Sequence, residues 1–187
     1  MEIRTGMRVW PQFLVSLALV AQLSATTLEQ LTLDEMAQKS TAIVRARGTG
    51  SRSATLGAGR GADIYTYFQL QVLETWKASG RPASEVAIPG GAVDGIRQSV
   101  SGAPTLQPGQ EYVLFLWTSR SGLTQVIGLS QGLFRVSPGA SREMLAQRPP
   151  AAELMLDRAG NPVEDRAVSM QLQDLRARVR QALEAAK

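Results

Sequence analysis

EYVLFLWTSRSGLTQVIGLSQGLFRV, residues Glu111 to Val136, is the most apolar stretch of the chain after the first 25 residues, and its reading decides the fold. Glu111 to Ser119 has the length and residue types of a strand. Tyr112, Leu114 and Leu116 fall on one face, and Val113, Phe115 and Trp117 on the other. Both faces are apolar, so both are expected to be covered by other elements. Ser119-Arg120-Ser121-Gly122 signals a turn. Leu123 to Gly128 then reads as a second strand and Gly132 to Val136 as a third, which predicts a meander at the centre of an antiparallel sheet.

The same stretch holds the one string with catalytic character. Gly128-Leu129-Ser130-Gln131-Gly132 matches G-x-S-x-G, the nucleophile elbow of α/β-hydrolases. An elbow serine gives its proton to a histidine later in the chain, and this sequence contains no histidine. The elbow also opens a helix, whereas Leu133-Phe134-Arg135-Val136 has strand character. A turn or bulge that uses two glycines between paired strands is the expectation. A serine–lysine pair would have to recruit Lys39, Lys77 or Lys187, and none lies at the Ser-x-x-Lys spacing. An envelope serine hydrolase using Ser130 therefore stands as the alternative function. Without histidine or cysteine, zinc and most transition-metal sites lose their ligands. Asp34-Glu35 and Glu164-Asp165 are isolated pairs, too few oxygens for calcium, and no two carboxylates are marked out for glycoside chemistry. No catalytic residue, metal ligand or cofactor is assigned.

Upstream, Arg4 and Arg8 precede the apolar run Phe13 to Ala21, which is too short to span a bilayer. This pattern predicts a Sec signal peptide over residues 1–25, cleaved after Ala25, and a secreted or periplasmic protein. Leu23 at the −3 place leaves neighbouring cleavage sites open, and either Met1 or Met7 could be the start. The remaining 162 of the 187 residues can bury roughly 70% of their unfolded surface without staples. That agrees with the lack of cysteine, which also removes disulfides and thiolate chemistry. No later apolar run approaches 18 residues, so no stable membrane span is expected after cleavage. Without Glu2, Arg4 and Arg8 the chain keeps 18 basic and 15 acidic residues, a charge of +3. Nucleic-acid binding would need arginines gathered on one face. Here they are dispersed, apart from Arg176, Arg178 and Arg180.

The flanking segments complete the expected architecture. Thr32-Leu33-Asp34-Glu35 fits a capping box opening a short helix that ends near Ser40. Ala42 to Arg47 reads as the first strand and Gly48 to Asp63 as a loop. Its Gly57-Ala58-Gly59-Arg60-Gly61 leads into a strand, not a helix, which argues against phosphate binding. Ile64 to Trp76 alternates, with Thr66, Phe68, Leu70 and Val72 on the core face. Tyr65, Tyr67, Gln69 and Gln71 line the opposite face and are the candidate binding residues, since tyrosines beside glutamines can stack a ligand. Glu85 to Ile88 is a short strand stopped by Pro89-Gly90-Gly91, and Gly95 to Val100 is the next. Asp157 to Pro162 has the residues of a hairpin turn. Ser169 to Ala186 reads as a helix with Ser169 as N-cap. Its stripe of Val168, Leu172, Leu175, Val179 and Ala182 is expected to dock on the outer face of the central strand.

The runs STAIVRARGTG, YFQLQVLETWKASG, EVAIPGG, VSGAPTLQPGQEYVLFLW and GLSQGLFRV together resemble a family of exported bacterial β-domain proteins without an assigned activity, over roughly Leu28 to Val136. The order of strands, with Val-Leu-x-x-Trp-Lys closing the long one and Gly-x-x-Tyr-x-Leu-Phe later, is distantly similar to netrin-like modules such as tissue inhibitors of metalloproteinases. That resemblance implies an OB-type barrel that binds other proteins. The framework cysteines of those modules are missing here, and with them the cysteine that chelates zinc.

The expected fold is mainly β: a small antiparallel OB-like barrel, closed or half-closed, over residues 26–140, with a short N-terminal helix. A C-terminal extension over 141–187 supplies a hairpin and a longer helix packed on the barrel. The expected function is an exported, non-enzymatic binding module whose partner is another envelope or extracellular protein. A saccharide on the Tyr65 and Tyr67 face ranks second, and nucleic acid is not expected.

Overall fold

Alternating apolar residues, punctuated by turn glycines and prolines, resolve into fifteen elements in the computed structural model, which describes residues 27–57, 62–80 and 83–186. In chain order these are β1 (Thr27–Glu29), α1 (Leu33–Lys39), β2 (Ala42–Leu56), β3 (Asp63–Ala78), β4 (Glu85–Pro89), β5 (Gly91–Val93), β6 (Ile96–Gln98), β7 (Glu111–Thr118), β8 (Thr124–Val126), β9 (Leu133–Pro138), β10 (Met144–Arg148), β11 (Leu154–Leu156), β12 (Pro162–Val163), β13 (Val168–Gln171) and α2 (Leu172–Glu184). The expected signal peptide lies outside the described residues, as do residues 58–61 of the glycine-rich loop.

The protein is mainly β, with one main antiparallel sheet ordered β13-β10-β9-β7-β2-β3-β4 and β8 beside β7. β1, β11 and β12 form a second small sheet in which β1 runs parallel to β11. β5 and β6 form a separate ribbon. The barrel is half-closed, not closed. β8, β7, β2, β3 and β4 curl around one core, and β4 comes up to β8 without sharing a ladder with it. Both seam strands are short, and β4 ends on Pro89, which has no N–H to give a further partner.

The two faces of β7 divide the core as their alternation requires. Tyr112, Leu114 and Leu116 enter the barrel interior with Val44, Ala46, Phe68, Leu70, Val86 and Ile88. Val113 and Phe115 enter a second core on the outside, closed by Met36 and Ala37 of α1 and by Leu175, Val179 and Ala182 of α2. Phe115 meets Phe134 there, with ring centroids 5.8 Å apart. The C-terminal helix therefore docks on the outer face of the central strand. Trp117 departs from expectation: it lies beyond the helices and is 45% exposed.

The capping box forms as its sequence dictates. Thr32 Oγ1 accepts from the Glu35 N–H at 3.2 Å, and Glu35 Oε2 accepts from the Thr32 N–H at 2.8 Å. At the other end of α1 the Lys77 ammonium donates to the free carbonyls of Ala37 and Gln38, at 2.9 and 2.8 Å. Burial lowers its pKa.

Four expected boundaries are corrected. The loop expected from Gly48 is strand as far as Leu56, because its small polar residues pair with β3 around a bulge at Thr49. The expected meander does not form. β8 and β9 lie end to end along the same edge of β7, opposite its C-terminal and N-terminal halves. The strand expected from Gly95 to Val100 is only Ile96–Gln98, in the small ribbon. The C-terminal helix starts at Leu172, not after Ser169. Val168–Gln171 is an edge strand on β10, and the N-cap, Gln171, makes no side-chain cap bond. The Asp157–Asn161 turn does form, with Asp157 Oδ1 accepting the N–H groups of Ala159 and Asn161 at 2.9 and 2.8 Å.

Candidate functional site

β3 carries Tyr65, Tyr67, Gln69 and Gln71 at alternate positions, so all four share its outer face. Their cross-strand neighbours share that face too. Ala54 and Arg52 of β2 stand opposite Tyr65 and Tyr67, and Pro89, Ala87 and Glu85 of β4 stand opposite Tyr65, Tyr67 and Gln69. Neither helix covers this half of the sheet, since their buried residues pack at the Val113 and Phe115 half.

The two tyrosine rings are half-buried, 6.5 Å apart between centroids and tilted by 49°. The Arg52 guanidinium lies 4.4 Å from the Tyr67 ring centroid, a cation–π contact. Arg52 Nη2 also pairs with Glu85 Oε2 at 3.2 Å, and Gln69 Nε2 donates to the same carboxylate. Gln71 lies further along the strand, opposite Arg47, and is exposed. Arg52 and Glu85 were not visible as site residues in the sequence. Each belongs to a different strand from the tyrosines, and only the register brings them together.

The barrel seam extends this face. A groove of about 310 Å³ runs between β4 and β8, lined by Ala87, Pro89, Trp117, Gln125 and Leu129 among others. Ala87 and Pro89 are the direct cross-strand neighbours of Tyr67 and Tyr65, so the groove lies one strand away from the tyrosines. Leu129 is held there with φ at 59°, a left-handed conformation that costs a branched side chain about 1 kcal/mol or more.

Leu129 belongs to the G-x-S-x-G pentapeptide, which forms a bulge between β8 and β9 opposite Phe115. The Ile127 N–H donates to the Phe115 carbonyl at 2.9 Å, and the Phe115 N–H donates to the Gly132 carbonyl at 2.8 Å. Both glycines are required. Gly128 has φ of 61°, and a Cβ on Gly132 would stand 2.9 Å from the Ile127 carbonyl oxygen. The pentapeptide leads into β9, not into a helix. Gln131 is almost fully buried and works as a clamp: its Oε1 accepts from the Leu31 N–H at 2.8 Å and its Nε2 donates to the Glu29 carbonyl at 3.0 Å. The Ser130 hydroxyl is buried and has no hydrogen-bond partner among the described residues.

No protein-family model matches the chain, and no curated protein matches it.

Charged groups elsewhere on the outer face serve the fold. Arg45 bridges Glu74 at 2.8 Å and Glu111 at 2.7 Å, and Arg47 joins Glu111 at 2.6 Å. Arg176 of α2 reaches Glu74 at 3.3 Å. Burial alone would raise the Glu111 carboxyl, but the hydrogen bonds and charges of Arg45 and Arg47 outweigh it and hold it below the ordinary carboxylate range. The Trp76 N–H, ahead of Arg45 and Arg176, does the same for Glu74. These groups spend their charge on one another and tie α2 to the sheet. Among the described residues no cluster of three or more acidic side chains could hold a metal ion, and no helix is long and apolar enough to cross a membrane.

Proposed function

We propose that the chain is an exported, non-enzymatic binding module that docks another envelope or extracellular protein on the outer face around Tyr65, Tyr67 and Trp117. One observation carries the reading. Two helices close the Val113 and Phe115 half of the sheet's outer surface, whereas the half bearing these aromatic residues has no covering element among the described residues. Tyrosine, tryptophan and arginine are the residues enriched at the centres of protein interfaces, and the two aromatic ones offer a large surface at small entropic cost. Arg52 sits among them with its guanidinium already ordered over Tyr67.

A saccharide on the same face ranks below a protein. Sugars stack on open ring faces, and here Arg52 occupies one side of Tyr67 while the Tyr65 ring is tilted away from it. A serine hydrolase is the competing class, and the buried, unpartnered Ser130 hydroxyl is the observation in its favour. Against it stand the bulge geometry and a sequence without histidine.

The test is chemical crosslinking in the native envelope, followed by purification of the captured partner and direct titration. Tyr65→Ala with Tyr67→Ala should weaken the complex by about tenfold or more, as loss of central aromatic anchors does. Ser130→Ala should leave it unchanged. An ester-hydrolysing activity abolished by Ser130→Ala would replace this proposal with the hydrolase reading.

A further inference from the structure

The main sheet has two ends, and they are finished differently. At one end is β4, where Pro89 has no N–H to offer and β8 lies close along the outer edge. At the other end is β13, which pairs only with β10 among the described residues. Its residues are Val168, Ser169, Met170 and Gln171. None of them carries a charge and none is proline, and the ladder with β10 runs without a bulge. The guards that keep an exposed edge from pairing are therefore missing.

Half of the backbone groups of β13 are turned away from the sheet. The Gly139 N–H donates to the Glu143 carbonyl at 2.6 Å. Hydrogen-bonded pairs alternate along an antiparallel ladder, so Leu145 and Gln147 turn their backbone groups to β9, and Ala146 and Arg148 turn theirs to Met170 and Val168 of β13. The N–H and C=O of Ser169 and the N–H of Gln171 point outward. The Gln171 carbonyl is committed to α2, because Gln171 is its N-cap. The edge is held in place: Val168 and Met170 pack into the core beneath α2, while Ser169 stays exposed. An edge fixed in advance loses little freedom when it pairs.

We infer that two copies of this chain pair their β13 strands antiparallel about a two-fold axis at Ser169, so that two main sheets become one. Each Ser169 N–H then donates to the other copy's Ser169 carbonyl, and each Gln171 lies level with the other copy's Ala167. Charge favours a second copy as the partner. The uncharged strand meets itself without like-charge repulsion. Antiparallel pairing also sets Arg166, just before β13, beside the first turn of the other copy's α2, which carries Asp174. Both side chains are exposed, and neither is in an ion pair among the described residues. This edge is separate from the aromatic face, and neither depends on the other.

Sedimentation equilibrium of the purified chain over a range of concentrations tests it, and a monomer–dimer equilibrium is expected. Ser169→Pro removes an N–H that the fold does not use, as edge strands tolerate, and should weaken the dimer at least about tenfold. Ser169→Lys sets two ammonium groups side by side at the axis and should also weaken it. Its exposed side chain leaves the melting temperature of the dilute protein unmoved, which keeps the test valid if the proline variant folds poorly. Ser169→Ala keeps the backbone groups and should leave the dimer intact. A monomer at every concentration up to about 1 mM, a dimer unweakened by Ser169→Pro or by Ser169→Lys, or a loss in Ser169→Ala equal to that in Ser169→Pro would each overturn the inference.

Discussion

The outer face of one sheet is built in two ways along its length. Around Val113 and Phe115 it is apolar, and α1 and α2 cover it completely. Around Tyr65 and Tyr67 it is aromatic but amphipathic, mixed with glutamines, an arginine and a glutamate, and it stays in contact with solvent. Phenylalanine and valine gain only from leaving water. A tyrosine presents both an apolar ring and a hydroxyl, so it tolerates an open face and still offers surface to a partner. Covering of this sheet thus follows residue chemistry, not strand position. The covered half holds the fold together, and the open half is available for recognition.

Stability separates the two halves first. Phe115→Ala should cost about 3–5 kcal/mol in denaturant unfolding, the range for a fully buried ring. Tyr65→Ala, at a half-open position, should cost well under that. Equal losses would mean that the open half is as structural as the covered one.

A buried ion pair comes next. Arg148 and Asp165 face each other with almost no solvent contact, and Asp165 also accepts the Ala151 N–H at 2.7 Å. Removing one partner of such a pair strands the other charge and costs about 3–5 kcal/mol, so Asp165→Ala should approach the loss at Phe115. Arg148, ahead of the Ala151 N–H, lowers the Asp165 pKa below its ordinary value. The stability this group contributes is therefore complete above that ordinary value and is lost as pH falls below it. Acid unfolding followed by circular dichroism would check the direction.

The capping box is the smaller perturbation. Glu35 is held at about 2, first by the Thr32 N–H and then by Arg158. Since its folded pKa lies below its ordinary value of 4.5, its contribution is full above that value and disappears as pH falls towards 2. Glu35→Gln should be less stable than the parent at neutral pH, and the two should converge in acid. Thr32→Ala should cost about 1 kcal/mol at neutral pH. The smallest stability effect is expected on the open face, where Tyr67→Ala combined with Arg52→Ala should change little and act on binding alone.

How much of this fold was legible in the sequence depends on the range of each interaction. The capping box was legible because its partners are three residues apart. Both faces of β7 and the docking stripe of α2 were legible because periodicity reports burial directly. The second half of β2 was not. Ser51, Arg52, Ser53 and Thr55 carry no apolar alternation, and their strand conformation is imposed by β3. β13 has the pattern of a helix because Val168 and Leu172 also fit a helical stripe, and only pairing with β10 decides between the two. Alternation in β8 and β9 is silent about which edge of β7 they take. Tyr65, Tyr67, Gln69 and Gln71 were legible as one face. The residues that organise that face, Arg52 and Glu85, and the groove beside Trp117 were not, because each arrives from another strand through register alone.

Position-specific photo-crosslinking in the native envelope tests directly whether the open half binds a protein. One crosslinking residue would replace Tyr67 on the open half, and another would replace Arg178 on the exposed side of α2, above the covered half. The account predicts a discrete protein adduct from position 67 and none from position 178. An adduct from position 178 alone, or from neither position, would contradict it.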